Sequence, residues 1–299
     1  MTSLLAKRFA VHRSALAGSA DGGWLRPGQH AVITGGSSGL GLELARQLAG
    51  RGLAITLVAQ DPHRLSRARE QVTAGAAGAR VTTQSVDVSD PEAVEAALDE
   101  VRAASGGIDV LINSAGILRE GYFERLTHDD FRAVMDVDFF GVVNATMACL
   151  PYLKESRGHL VNVSSMAGML GVFGLTAYAA AKHALNGFTD SLRIEMGPQN
   201  VTVQLVCPPE FDSPMVATLD TYRTAENRAI VKSVPPLSVT QVARETIRGI
   251  DKREPLTIPG MASRLTWRAS RYAPALLDRY FQRRLAAVYR GPMSAEAAR

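Results

Sequence analysis

A chain of 299 residues with 46% hydrophobic and 21% charged side chains suits one large α/β domain and can bury a substantial core. Its net charge of +4 sits at the ends: residues 1–30 carry a surplus of three positive charges and residues 261–299 a surplus of six, which leaves 31–260 at −5. That pattern excludes a nucleic-acid groove along the body, no run reaches the length of a membrane span, and two isolated cysteines, Cys149 and Cys207, offer neither a disulfide framework nor a metal site.

Residues 1–29 read as an N-terminal extension. Within it "SLLAKRFAVHRSALAG" is basic and amphipathic, but Lys7 and Arg8 break its apolar run, which makes it a poor secretory signal. A transit peptide, a surface helix and a disordered lead-in all fit it. A reduced, cytoplasmic setting follows from the cysteines.

From residue 30 to 260, short β-branched runs alternate with helix-length segments. "HAVITG" (30–35), "AITLVAQ" (54–60), "VTTQSVD" (81–87), "DVLINSA" (109–115), "HLVNVSS" (159–165), "VTVQLVCP" (201–208) and "LTIP" (256–259) are the predicted strands. Between them lie an amphipathic stretch to Arg51, "PHRLSRAREQV", and "SDPEAVEAALDEVRAA" with Pro91 in its first turn. A longer helix is predicted from Thr127, where Thr127-x-x-Asp130 resembles a capping box. Several strands are apolar on both faces, as in a parallel sheet covered by helices on both sides. The prediction is a single Rossmann-type domain, a doubly wound seven-stranded parallel sheet over 30–260. Ligands then bind above the C-terminal strand ends.

The chemistry-bearing residues fall at those ends. "TGGSSGLG", Thr34 to Gly41, follows the first strand and opens the first helix. Its glycines let a pyrophosphate approach free helix N–H groups, so Thr34, Gly35, Ser37, Ser38, Gly39, Leu40 and Gly41 are expected to hold a dinucleotide. The second strand ends at Ala59, where a carboxylate for the ribose 2′-hydroxyl would stand. Gln60 and Arg64 suit a 2′-phosphate better than Asp61 suits the hydroxyl, so NADP is expected. Asp87, followed by Val88, closes the third strand and can accept from an adenine amino group. Asn113, Ala115 and Gly116 of "NSAG" leave room for the cofactor beside the fourth.

Ser165 ends the fifth strand, and Tyr178 and Lys182, at i and i+4, share one helix face. An ammonium beside a phenol lowers the phenol's pKa, and a hydroxyl can hold a substrate oxygen within reach. The set suits reversible proton transfer coupled to hydride transfer.

Together these residues resemble the short-chain dehydrogenase/reductase family over about 28–260. TGxxxGxG, NSAG and Ser165 thirteen residues before Tyr178-x-x-x-Lys182 stand in that family's order and spacing. The resemblance implies that Tyr178 exchanges the proton, Lys182 binds the nicotinamide ribose and tunes Tyr178, and Ser165 hydrogen-bonds the carbonyl. Two positions depart from it. "DVDFFG" places Asp138 where an Asn is usual in the catalytic set and its water-linked relay. "PPEFDSPM", Pro208 to Met215, replaces Pro-Gly-x-x-x-Thr beside the cofactor. With "ITLVAQDPHRL" and "GVFGLTAYAAAK", this loop is similar to the 3-ketodihydrosphingosine reductases. That likeness implies NADPH-dependent reduction of a long-chain keto-amine. A hydroxysteroid-type or general carbonyl reductase is the alternative enzyme, and a cofactor-binding scaffold without turnover the alternative class. Loops 166–175 and 209–235 are expected to read the substrate.

The tail, 261–299, interleaves arginine with Trp267, Tyr272, Leu277, Tyr280, Phe281, Leu285 and Val288, and Pro274 is expected to split it into two helices. Its apolar face either packs on the domain or a second subunit, or lies at an acyl boundary with arginines at anionic headgroups. Peripheral membrane contact and a homo-oligomer are thus both expectations for this end.

Overall fold

The computed structural model describes residues 23–290. The amphipathic stretch at 3–18 and the last nine residues of the tail lie outside them. Seven strands form one parallel sheet: β1 (His30–Thr34), β2 (Ala54–Ala59), β3 (Val81–Ser85), β4 (Val110–Asn113), β5 (His159–Val163), β6 (Thr202–Val206) and β7 (Leu256–Thr257). Their order is β3-β2-β1-β4-β5-β6-β7. Val32 pairs with Thr56 on one side and Leu111 on the other. The winding reverses between β1 and β4, which opens a crevice above their C-terminal ends.

Helices α1 (Gly39–Ala49), α2 (Pro62–Gly75) and α3 (Pro91–Ser105) follow the first three strands. Asp61 and Asp90 cap α2 and α3 with their side chains, each before a Pro in the first turn. After β4 come α4 (His128–Met135), a single π turn (Asp136–Phe140) and α5 (Gly141–Ser156). The Thr127 capping box forms as read: the Thr127 hydroxyl accepts from Asp130 N–H and the Asp130 carboxylate accepts from Thr127 N–H. Long α6 (Thr176–Met196) follows β5. Short α7 (Pro214–Leu219) and α8 (Ala225–Val231) follow β6, and α9 (Val239–Asp251) leads to β7.

Both sheet faces are dry. Ile33, Ile55, Leu57 and Ile112 are fully buried on one face, and Val32, Leu111 and Leu160 on the other. Each such side chain contributes about 1.5–3 kcal/mol by leaving water. One expectation is corrected here. The continuous helical run His128–Ser156 is long and apolar enough to cross a membrane by length and composition. It is apolar because it packs against α3 and α6 inside the domain, and it carries the buried Asp138 at its middle.

Residues 23–29 cross the sheet's N-terminal edge. Trp24 N–H donates to the Asp251 carbonyl at 3.0 Å, and Trp24 and Leu25 pack on the core. The tail divides at Pro274 into α10 (Met261–Tyr272) and α11 (Pro274–Arg290). α11 packs on α8 with Leu277, Phe281, Leu285 and Val288 partly covered, while none of its residues is fully buried.

Candidate active site

Only four residues join β1 to α1. That tightness demands glycine. Gly35 has φ +67, and a Cβ there would stand 2.7 Å from Ala115 N; at Gly41 it would stand 2.5 Å from the Gly35 carbonyl oxygen. Both obstacles are backbone. Ser38 is the N-cap but makes no side-chain bond to the helix start, so first-turn N–H groups of α1 remain available to an anion. Thr34 sits beneath this turn rather than in the cavity wall. Its hydroxyl oxygen accepts from Ser114 and Ala115 N–H at 3.1 and 3.3 Å and ties the ends of β1 and β4 together.

The cavity above these ends has a volume of about 430 Å³, within the usual range for a small-molecule site. Gly35, Ser37, Ser38, Gly39 and Leu40 line it, with Ala59 and Gln60, Asp87 and Val88, Ala115 and Gly116, and Pro208. Asp87 forms the rim: it accepts from Ser89 through Oδ1 and from Gln60 Nε2 at 2.9 Å through Oδ2.

Ser165, Tyr178, Lys182 and Asp138 meet at the centre of the same cavity. The Ser165 hydroxyl oxygen accepts from Ala167 N–H at 3.1 Å, which fixes its rotamer, and Ser165 and Tyr178 line the same cavity. Lys182 is 3% exposed. Its ammonium donates to the Val163 carbonyl at 3.2 Å, lies 3.1 Å from Asp138 Oδ2, and stands 5.5 Å from the Tyr178 ring centroid. Asp138 is fully buried, and its Oδ1 accepts from Ile117 N–H at 2.7 Å. The π turn brings it there; such turns recur at functional sites.

Electrostatics here differ from the sequence expectation. Burial raises the Tyr178 pKa above the ordinary phenol value; the Lys182 ammonium opposes this, while Asp138 adds to it. The net direction is up chiefly because the phenol is buried, and Asp138 offsets part of the opposing effect of the ammonium. Burial also penalises charge on Lys182, but the Asp138 carboxylate more than compensates and holds its pKa above the usual value.

A family model described as short chain dehydrogenase matches residues 29–224. The 3-dehydrosphinganine reductase of Danio rerio is 37% identical over 225 residues, covering 74% of this chain and 68% of the relative. Among solved structures, a short-chain dehydrogenase/reductase from Burkholderia phymatum in complex with NAD superposes with a TM-score of 0.75 at 27% identity, over 85% of this chain and 96% of the other. One from Burkholderia cenocepacia in complex with NADP gives 0.71 at 31%, over 80% and 99%.

The chain belongs to the short-chain dehydrogenase/reductase family. It is an oxidoreductase of carbonyl and alcohol groups that works with a nicotinamide dinucleotide.

Like Thr34 and Gly41, two further predicted cofactor residues, Asn113 and Arg64, stand outside the lining. Asn113 is 1% exposed and turns under the sheet, donating to Asn162 Oδ1 at 2.9 Å and Thr146 Oγ1 at 3.2 Å. Its amide braces β4 against β5 and α5 rather than lining the cavity. Arg64 also lies outside the lining; it is exposed at the start of α2, 3.5 Å from Asp61. Asp61 spends its carboxylate on the N–H groups of His63 and Arg64.

Apolar side chains make up much of the remaining lining. Leu170 and Val172 come from one predicted substrate loop, and Met215, Leu219 and Ile230 from the other. Phe281 of α11 also lines the cavity, a contribution to the site that the sequence reading of the tail did not include. Also missed were the bolts that hold 209–235 in place. The Thr224 hydroxyl donates to buried Glu120 at 2.6 Å, Asn227 Nδ2 donates to the Phe173 carbonyl at 2.7 Å, and the buried Arg223 guanidinium pairs with Glu210. Each partner lies tens of residues away in the chain or sits in an irregular loop, so no periodicity signals it.

Proposed function

We propose that this protein reduces a ketone on a long-chain, lipid-like substrate to a secondary alcohol, using NADPH. The observation that carries this reading is the cavity lining: Ser165 and Tyr178 share one cavity with the glycine cradle and with the apolar side chains of Leu170, Val172, Met215, Leu219, Ile230 and Phe281. The resemblance to 3-dehydrosphinganine reductases points to the same substrate class.

The glycine turn, the uncapped start of α1 and the small residues at 115–116 fit a dinucleotide. When bound, the cofactor supplies a hydride to the carbonyl carbon. Ser165 and Tyr178 both address the carbonyl oxygen, and Tyr178 gives it the proton. The C=O bond thereby becomes CH–OH, and the phenolate recovers its proton from solvent. Lys182 is held by Val163 and Asp138 within reach of both Tyr178 and a ribose.

Support for NADPH comes from the end of β2. Ala59 lines the cavity where a carboxylate would be needed for NAD, Asp61 is engaged in capping α2, and the exposed Arg64 is free to swing toward a 2′-phosphate. Beside the mouth, α10 and α11 expose Leu265, Tyr272 and Leu276 among Arg268, Arg271 and Arg279. That combination supports reversible contact with anionic lipid, where such a substrate resides.

The test is NADPH oxidation by the full-length protein with 3-keto substrates of increasing chain length. We expect kcat/KM to rise with chain length and to favour NADPH over NADH. Equal efficiency for short and long ketones would leave a general carbonyl reductase instead, and an NADH preference would overturn the assignment at Ala59 and Arg64. Vesicle co-sedimentation with and without anionic lipid tests the surface contact; identical partitioning would refute it.

A further inference from the structure

The Asp138–Lys182 pair is the one fully buried ion pair among the described residues, with side chains 0% and 4% exposed. A buried pair of this kind is costly to assemble and often no more stabilising than apolar packing of the same volume. Its placement is therefore informative. Asp138 reaches Lys182 only because the π turn interrupts the helix at Asp136–Phe140, and Ile117 N–H holds the other carboxylate oxygen. Gly116 leaves room beside it, since a Cβ there would stand 3.0 Å from Asp138 Oδ2 and press the carboxylate aside.

We propose that Asp138 is a positioning residue for proton transfer: its carboxylate, paired with Lys182, offsets part of the ammonium's field at buried Tyr178, so that Tyr178 holds its proton more firmly than it would beside Lys182 alone and the site is poised to protonate a ketone. This rests on the reading of Tyr178 as the proton donor.

The groups facing that hydroxyl leave few other sources of charge. Lys182 comes from the same helix, Asp138 from the π turn and Ser165 from the end of β5. Cys207, beyond β6, has a thiol pushed up to about 12 by burial, so it is neutral in the working range. Asp190, which faces Cys207, is itself paired with Arg193 at 2.7 Å. With Asp138 ionised, Lys182 and Asp138 together present no net charge to Tyr178. With a neutral amide in its place, the ammonium acts alone, and an unpaired cation at this range favours phenolate by about 1–3 pH units.

The experiment is a tyrosinate absorbance titration of the protein without cofactor. It is run on the wild type and on Asp138→Asn, each minus the same protein carrying Tyr178→Phe, so that the difference isolates Tyr178. In the wild type, Tyr178 is expected to ionise above the ordinary phenol value of about 10. In Asp138→Asn it is expected to ionise at least about one unit lower, and the alkaline limb of kcat/KM for ketone reduction should move down by the same amount. An unchanged Tyr178 titration in a folded Asp138→Asn protein would overturn the proposal. Should that variant not fold, Asp138→Ser is titrated in the same way, and an unchanged Tyr178 step there overturns the proposal equally. Loss of the proton-donor reading would show differently, as turnover surviving Tyr178→Phe.

Discussion

Where its strands begin, the sheet buries His30 and His159; where they end, it buries Asp138 and Lys182. At the first edge both side chains are kept neutral. Burial lowers the His159 pKa to about 3, with Arg253 adding to the effect, and the ring lies 5.5 Å from Trp24. Burial likewise lowers the His30 pKa. Its Nδ1 lies 2.9 Å from the Gly107 carbonyl and so carries the proton, while Nε2 accepts from Thr56 Oγ1 at 2.8 Å. At the second edge the same loss of solvent is met by pairing opposite charges. Neutral imidazoles seal one end; charge is retained at the other, beside the one tyrosine with a use for it. The fold maintains a desolvated charge pair beside Tyr178, where proton transfer is proposed.

Breaking the working edge should have the largest effect. Tyr178→Phe is expected to lower kcat for ketone reduction about 10²–10⁴-fold while dinucleotide binding, measured by fluorescence titration, stays within a few-fold of wild type. Next in size is the cost of leaving Asp138 alone. Lys182→Met strands a buried carboxylate and should destabilise the protein by about 3–5 kcal/mol, read from urea melts near pH 8; an unchanged midpoint would mean that the pair is not electrostatically coupled.

The sealing edge predicts a pH dependence of definite sign. The folded His159 pKa of about 3 lies below its ordinary value of 6.5, so the unfolded chain binds the extra proton between those limits. The stability from a neutral His159 is complete above about pH 6.5 and is lost as pH falls, at about 1.4 kcal/mol per unit. His159→Gln should flatten that slope between pH 6 and 4 in urea melts, with no effect on the pH profile of turnover. Smallest is the tail's contribution. Phe281→Ala is expected to raise KM for a long-chain ketone about fivefold, equivalent to about 1 kcal/mol, and to leave kcat with a short ketone unchanged.

Fold and chemistry were legible in the sequence to different depths. The seven strands read clearly because a two-faced apolar strand such as Ala31–Ile33 has one physical solution. The glycine turn read clearly because Gly35 and Gly41 face backbone, and Ser165, Tyr178 and Lys182 because their spacing is local to one strand end and one helix. Asn113 was misplaced because a strand-end residue can point either way, and its partners Asn162 and Thr146 are fixed only by the pairing of β4 with β5 and by α5. The direction of the Tyr178 shift was missed for a related reason. Lys182 is four residues away and visible, but the burial that outweighs it is set by the tertiary fold, and the charge that partly offsets it comes from Asp138, forty residues earlier. The apolar run His128–Ser156 shows the converse: composition alone cannot say whether lipid or protein covers a helix.

The central claim, ketone reduction at the C-terminal edge of the sheet, is tested most directly by adding a long-chain 3-keto substrate to the full-length protein with NADPH and counting both products. One molecule of secondary alcohol should form for each NADPH oxidised, with no NADPH loss when the ketone is left out. NADPH that binds but is not consumed across the ketone series would contradict it, and would leave a dinucleotide-binding protein whose Tyr178 and Lys182 serve no turnover.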